Sequence, residues 1–161
     1  MEIEMITGRI AQNLEHLKRY TSTPDAGCTR LPFTKETREA VDYLRKEMEE
    51  IGLEVKEDAA GNVYGILRGT DPTLPCVMTG SHIDSVLHGG NYDGIGGVGC
   101  SLEVARQIVE MGLDHKRDLV VIGFMDEEGM RFGTGYFGSG AILGHRNAEY
   151  TRQFSDINGV T

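Results

Sequence analysis

Apolar residues recur at helical spacing in two stretches near the N-terminus. In the first they are Ile6, Ile10, Leu14 and Leu17, and in the second they are Val41, Leu44, Met48 and Ile51. Residues three or four positions apart share one face of a helix, so both stretches predict amphipathic helices. Thr34 is placed to cap the second helix, and Gly52 is placed to end it.

Strands are predicted by alternation and by short apolar runs further along the chain. Alternating residues at 53–57 and 63–67 flank a polar turn, which indicates a hairpin. The runs CVMTGS (76–81) and DLVVIGFM (118–125) are typical of strands buried on both faces, and a helical pattern at 97–111 lies between them. This order of elements predicts an α/β fold with a mostly parallel central sheet flanked by helices.

Composition and charge narrow the class of protein. A chain of 161 residues with 39% hydrophobic residues is large enough for one globular domain. The formal net charge of −9 opposes nonspecific attraction to nucleic acid or to anionic lipid. Three cysteines without a CxxC pattern and the lack of an apolar run of ~20 residues favour a soluble cytoplasmic protein without a membrane partner.

Candidate metal ligands follow the predicted strands or precede a predicted helix. They are His82 with Asp84, then Asp93, and then the adjacent Glu127 and Glu128. The carboxyl ends of parallel strands meet at one edge of a sheet, where α/β proteins bind ligands. Imidazole and carboxylate groups suit Zn²⁺, Mn²⁺, Co²⁺ or Ni²⁺, so the pattern predicts a divalent metal site.

Distinct roles are expected within this cluster. Asp84 is placed to accept a hydrogen bond from the second imidazole nitrogen of His82. Glu127 and Glu128 should point in different directions, so that one binds metal and the other acts as a general base, and spacing alone leaves open which does which. The alternatives are solvated surface carboxylates and a phosphate-binding glycine loop, although GGNYDGIGG lacks the P-loop spacing.

Three segments resemble a known group of enzymes. They are the stretch from AGCTRLPFTKE to EDAAGNVYG, the loop GSHIDSVLHGGNYDGIGGVG, and FMDEEGMRFGTGYFGS. The chain resembles the N-carbamoyl-L-amino-acid hydrolase, allantoate amidohydrolase and β-ureidopropionase group of the M20 metallopeptidase-like amidohydrolases. The resemblance runs from about residue 6 to the end and implies a zinc-peptidase-like catalytic domain.

The resemblance implies specific roles for the cluster. Two divalent ions would be bridged by Asp93, with His82 binding one and Glu128 the other, while Glu127 acts as general base and Asp84 supports His82. Hydrolysis of a carbamoyl or ureido C–N bond in a small carboxylated ureide is the implied reaction. The implied assembly is a homodimer.

Members of this group have longer chains, with a lid or dimerisation domain and further metal ligands. The expectation is therefore that residues 1–161 are the N-terminal portion of the catalytic domain, inactive alone and weak in metal binding. Two alternatives stay open. One is an M20 aminoacylase or dipeptidase, and the other is a noncatalytic binding protein that retains half of a metal site.

Overall fold

A computed structural model describes the backbone of residues 3–161 and the side chains of residues 8–161. This part of the chain contains five helices and four strands. They are α1 (Ile3–Leu17), α2 (Lys35–Ile51), β1 (Glu54–Glu57), β2 (Val63–Leu67), β3 (Val77–His82), α3 (Ile95–Glu110), β4 (Leu119–Phe124), α4 (Phe137–Ile142) and α5 (Ala148–Thr151). Within the described residues, no helix is both long enough and apolar enough to cross a membrane.

The four strands form one sheet in the order β1-β2-β4-β3. The predicted hairpin is present as the antiparallel pair β1 and β2, and β2 also pairs with β4 in antiparallel fashion. Only β3 and β4 are parallel, joined by the crossover through α3. The α/β class is confirmed, but the expectation of a mostly parallel sheet is wrong for these strands, because the hairpin docks on the free side of β4.

The strand β3 differs from its prediction. It lies at an edge of the sheet, and Val77 and Met78 are 51% and 44% exposed, so it is not buried on both faces. A short apolar run does not distinguish an edge strand from a central one. The other apolar run is confirmed as a buried central strand, since β4 pairs on both sides and its first five residues are buried.

The helix α2 has the predicted ends and the predicted buried face. The Thr34 side chain accepts a hydrogen bond from the backbone N–H of Thr37, and Gly52 has a φ of 93°, which favours glycine. Its apolar stripe packs into one core with residues of α3 and the sheet. In α1, Leu17 is fully buried as expected, whereas the side chain of Ile6 lies outside the described residues.

A buried arginine ties the segment after β3 to the end of α1. Arg30 is 1% exposed, and its guanidinium donates to the backbone carbonyl of Ile83 at 2.7 Å and to those of Leu17 and Tyr20, both at 3.0 Å. Hydrogen bonds from a charged group to three carbonyls compensate part of the cost of burying it. Arg30 therefore fixes the backbone directly after His82.

Candidate metal centre

His82 is the last residue of β3, and its side chain is held in one orientation. The ring is largely buried, and Nδ1 lies 2.9 Å from the backbone carbonyl oxygen of Asp84. Because a carbonyl oxygen only accepts hydrogen bonds, Nδ1 is the donor, and in the neutral ring the lone pair is on Nε2. Nε2 is therefore free to bind a metal ion.

The carboxylate of Asp84 has a different partner from the predicted one. It is fully buried and lies 3.9 Å from Nδ1 of His82, so the expected hydrogen bond between these side chains is wrong. The carboxylate instead accepts the backbone N–H groups of Glu127 at 3.0 Å and Glu128 at 3.2 Å. These amides lie beyond the end of β4, so no neighbouring strand accepts their hydrogen bonds. The buried carboxylate needs hydrogen-bond donors, and the two amides supply them. Asp84 thus links the segment after β3 to the segment after β4.

Asp93 approaches His82 from the start of α3. Its carboxylate oxygen Oδ1 lies 3.5 Å from Nε2 of His82. The next residue, Gly94, has a φ of 66°, and a Cβ there would lie 2.5 Å from Nδ1 of His82. Only glycine combines this backbone conformation with so close an approach, so Gly94 permits the contact between Asp93 and His82.

Glu127 and Glu128 both face the imidazole of His82. Glu127 Oε2 lies 4.0 Å from Nε2, and Glu128 Oε1 lies 3.9 Å from the same atom. The expectation that these side chains diverge assumed an extended strand, in which neighbours alternate between faces. That expectation is wrong because β4 ends at Phe124 and Asp126 has a φ of 55°.

The donor atoms of three residues fit a divalent ion. One atom each from His82, Asp93 and Glu128 lies within 4.8 Å of the others, and no other such group of three occurs among the described side chains. Ligands bound to one ion at about 2.1 Å stand roughly 3–4 Å apart, so small side-chain movements complete the set. One imidazole nitrogen and two carboxylates match the donor preference of Zn²⁺ and similar ions.

The electrostatics of the cluster favour a cation. Partial burial raises the pKa of Glu128, and the carboxylates of Glu127, Asp93 and Asp84 raise it further against the opposing effect of His82. Several carboxylates that repel one another in a partly desolvated site are stabilised when a cation binds between them. The cluster therefore has the charge as well as the atoms of a metal site.

Asp126 is an ionisable group of this region to which the sequence pattern gave no role. Its residue is 2% exposed, Oδ1 has no hydrogen-bond partner, and burial together with the nearby Asp84 raises its pKa to about 7. An acidic residue directly after a buried strand was the available signal in the sequence. In the folded protein, the Asp126 side chain therefore stays protonated at pH values at which an exposed aspartate is ionised.

The variant Asp126→Asn is expected to remove a pH dependence of stability. The folded state binds this proton up to a pKa of about 7 and the unfolded state only to its ordinary value, so rising pH weakens the fold between these limits. In metal-free protein, the unfolding free energy of the variant relative to the parent chain should grow by about 2–4 kcal/mol from pH 4 to pH 7.5. Urea unfolding at several pH values measures it, and a constant difference would contradict the assignment.

The chain is similar to known proteins over most of its length. The family model described as peptidase family M28 matches residues 62–158. An N-carbamoyl-L-amino-acid amidohydrolase of Pseudomonas sp. (strain NS671) is 40% identical over 150 residues, which are 93% of this chain and 36% of the relative. The allantoate amidohydrolase of Bacillus subtilis (strain 168) is 36% identical over 156 residues, which are 97% of this chain and 38% of the relative.

Solved structures show the same arrangement of elements. A hydantoinase/carbamoylase family amidase from Burkholderia ambifaria superposes with a TM-score of 0.90 at 30% identity, over 96% of this chain and 38% of that one. The chain thus spans somewhat more than a third of the length of these proteins, with 36% for the first relative and 38% for the other two.

Proposed function

Because the chain belongs to peptidase family M28, we propose that it is the N-terminal portion of a metal-dependent amidohydrolase that cleaves carbamoyl or ureido C–N bonds. The resemblance in the sequence was to the M20 group, and the two families belong to one clan. The similarity to the carbamoyl and ureido amidohydrolases is confirmed by relatives that carry these names. The metal-binding portion then occupies residues 1–161, and the remaining ligands and the lid come from the rest of a longer enzyme.

One observation carries this proposal. Donor atoms of His82, Asp93 and Glu128 lie within 4.8 Å of one another, with Glu127 Oε2 4.0 Å from the same imidazole nitrogen. A surface cluster of acids does not need a buried, tautomer-fixed histidine at its centre. The arrangement suits hydrolysis, because it offers metal ligands and a further carboxylate beside them.

The residues have separable tasks in this proposal. His82, Asp93 and Glu128 hold the metal, for which the donor set suits Zn²⁺, Mn²⁺, Co²⁺ or Ni²⁺. We propose two ions, as the family resemblance implies; Asp93, whose side chain is 55% exposed, would contribute to holding both. The ions, when bound, supply Lewis acidity that polarises the carbonyl and makes water more acidic.

Glu127 is proposed as the general base. Its carboxylate lies beside the ligands and is 29% exposed, so it can take a proton from water at Oε2 and deliver it to the leaving nitrogen. Asp84 accepts hydrogen bonds from the backbone N–H groups of both glutamates and thereby fixes the position of the base relative to the ligand. Asp84 is a positioning residue in this scheme.

The proposed substrates are small carboxylated ureides. The relatives are named N-carbamoyl-L-amino-acid amidohydrolase, allantoate amidohydrolase and ureidoglycolate hydrolase. Each of these names describes a molecule with a carboxylate and a carbamoyl or ureido group. The net charge of −9 argues against nucleic acid as a partner. We propose that the longer enzyme is a cytoplasmic homodimer.

Substrate profiling of the longer enzyme tests the reaction. An N-acetyl amino acid differs from its N-carbamoyl analogue only in a methyl group for the terminal amino group, so the pair is a matched control. We expect kcat/KM for at least one ureide to exceed that for N-acetyl amino acids and dipeptides by about 100-fold. Preference for the N-acetyl compounds or dipeptides would favour an aminoacylase or dipeptidase. Absence of any turnover in metal-loaded protein would favour a binding protein.

A further inference from the structure

The side chain of Asn62 connects three segments around the candidate metal centre. Asn62 is fully buried, and its Oδ1 accepts the backbone N–H of Met125 at 2.9 Å. Its Nδ2 donates to the backbone carbonyl of Gly138 at 3.1 Å and to Oδ2 of Asp58 at 2.8 Å. The amide thus makes hydrogen bonds at both ends.

Two of these contacts hold the ends of the acidic loop, which we define as residues 126–136. Met125 directly precedes this loop, and Gly138 lies in the first turn of α4, directly after it. The pairing of β2 with β4 ends at Val63 and Gly123, so the Asn62 side chain satisfies an amide just beyond the ladder. Both glutamates of the centre lie between the two points that this one side chain holds.

The fit around the amide is close. A Cβ at position 138 would overlap Oδ1 of Asn62, so glycine there allows α4 to lie directly against the side chain. The backbone N–H of Gly138 also donates to the carbonyl of Met125 at 2.9 Å. The start and the end of the acidic loop are therefore joined to each other and to Asn62.

Asp58 fixes which way the amide points. Its carboxylate accepts the backbone N–H groups of Ala60 at 2.9 Å and Asn62 at 3.0 Å, and the hydroxyl of Tyr64 at 2.5 Å. Because the Asp58 carboxylate only accepts hydrogen bonds, the Nδ2 group of Asn62 must point toward it. The Oδ1 atom of Asn62 then points toward Met125. A carboxylate at position 62 would face Asp58 without a donor.

We propose that Asn62 is a positioning residue that sets where Glu127 and Glu128 stand relative to His82. It contacts neither metal nor substrate and acts through the backbone of the acidic loop. This inference rests on the proposed function, because the location of the glutamates matters only where they serve a metal site. A purely structural role would affect stability without altering metal binding by the molecules that remain folded.

The test measures Co²⁺ affinity and the free energy of unfolding in the same variants of the longer enzyme that we propose. Asn62→Ala removes all three side-chain hydrogen bonds. Asn62→Asp keeps the size of the side chain but puts an acceptor in place of Nδ2, which donates two of the three bonds. Asn13→Ala is the matched control, since Asn13 is a buried asparagine whose Oδ1 accepts the Tyr43 hydroxyl at 2.7 Å, remote in sequence from the centre. Affinities are obtained by chelator competition and corrected for the folded fraction.

We expect both Asn62 variants to bind Co²⁺ at least about tenfold more weakly per folded molecule, with an altered Co²⁺ absorption spectrum, and Asn13→Ala to bind normally. Unchanged affinity and an unchanged spectrum in folded Asn62→Asp would overturn the positioning role and leave the proposed metal site intact. If only Asn62→Ala folds, the same result in that variant has the same meaning. If neither folds, the spectrum of Asp58→Asn, which releases the amide, decides in the same way. Failure of the unsubstituted longer enzyme to bind Co²⁺ would overturn the proposed metal site and this inference together.

Discussion

Replacing Glu127 by Gln in the longer enzyme that we propose is expected to lower kcat by about 10³-fold while the metal stays bound. Glutamine keeps the size of the side chain but does not take a proton, so the variant removes general-base catalysis, which contributes about 10²–10⁴-fold. The Glu127 carboxylate lies 4.0 Å from Nε2 of His82 and is not needed for the set of three ligands. Steady-state kinetics and metal analysis of the same preparation provide the two readouts.

The adjacent residue provides the control for this prediction. Glu128→Gln changes the same chemical group one position along the chain and is expected to weaken metal binding as well as turnover, because Glu128 belongs to the ligand set. Both glutamates lie at nearly the same distance from the imidazole nitrogen, so the pair of variants separates their roles. If Glu127→Gln lost the metal and Glu128→Gln kept it, the two roles would have to be exchanged.

The second large effect is expected for Asp93→Ala, which should lower metal affinity by more than about 100-fold. Loss of an outer partner of a metal ligand typically costs 10–100-fold, and Asp93 is itself a candidate ligand. Its Oδ1 is the nearest carboxylate oxygen to Nε2 of His82, at 3.5 Å, among the ion pairs of that histidine. Isothermal titration of the longer enzyme with Zn²⁺ measures the change.

A change at an exposed aspartate separates site loss from general effects of charge. Asp114 is exposed and follows α3, away from the sheet edge that carries His82. Asp114→Ala removes the same chemical group at a different place. This variant should bind Zn²⁺ with the affinity of the unsubstituted protein. Equal affinities for Asp93→Ala and Asp114→Ala would remove Asp93 from the ligand set.

The sequence allowed the elements of the fold to be predicted where local signals act alone. The helix α2 has its stripe, its Thr34 cap and its Gly52 end within one stretch of sequence, and all three are present in the structure. The position of β3 was not predictable in this way. Whether a strand lies at an edge depends on which strands pair beside it. The hairpin pairs with β4 rather than with β3, and this pairing joins residues that are distant in the sequence.

The candidate site shows the same division between residue types and contacts. The grouping of His82 and Asp93 with the adjacent glutamates followed from placing each at a strand end or helix start, and only the family resemblance selected Glu128 as the ligand. The structure brings donor atoms of His82, Asp93 and Glu128 together. The partners that hold them were not predictable, because they are backbone groups. The carboxylate of Asp84 accepts hydrogen bonds from the backbone N–H groups of both glutamates, and its backbone carbonyl accepts the hydrogen bond from Nδ1–H of His82.

Asn62 illustrates the remaining gap. In the sequence it was only the last residue of a polar turn, within a segment that supported the family resemblance. Its contacts with Met125 and Gly138 join residues more than sixty positions apart, with sequence separations of 63 and 76. Hydrogen bonds over such separations leave no periodic pattern, so only the folded structure relates this turn to the acidic loop.

The most direct test of the central claim is a crystal structure of this chain grown with Zn²⁺, with data collected at the zinc absorption edge. The account predicts an anomalous peak about 2.1 Å from Nε2 of His82 and from carboxylate oxygens of Asp93 and Glu128. A map with zinc bound elsewhere and no peak among these three residues would contradict the claim that they form the metal centre.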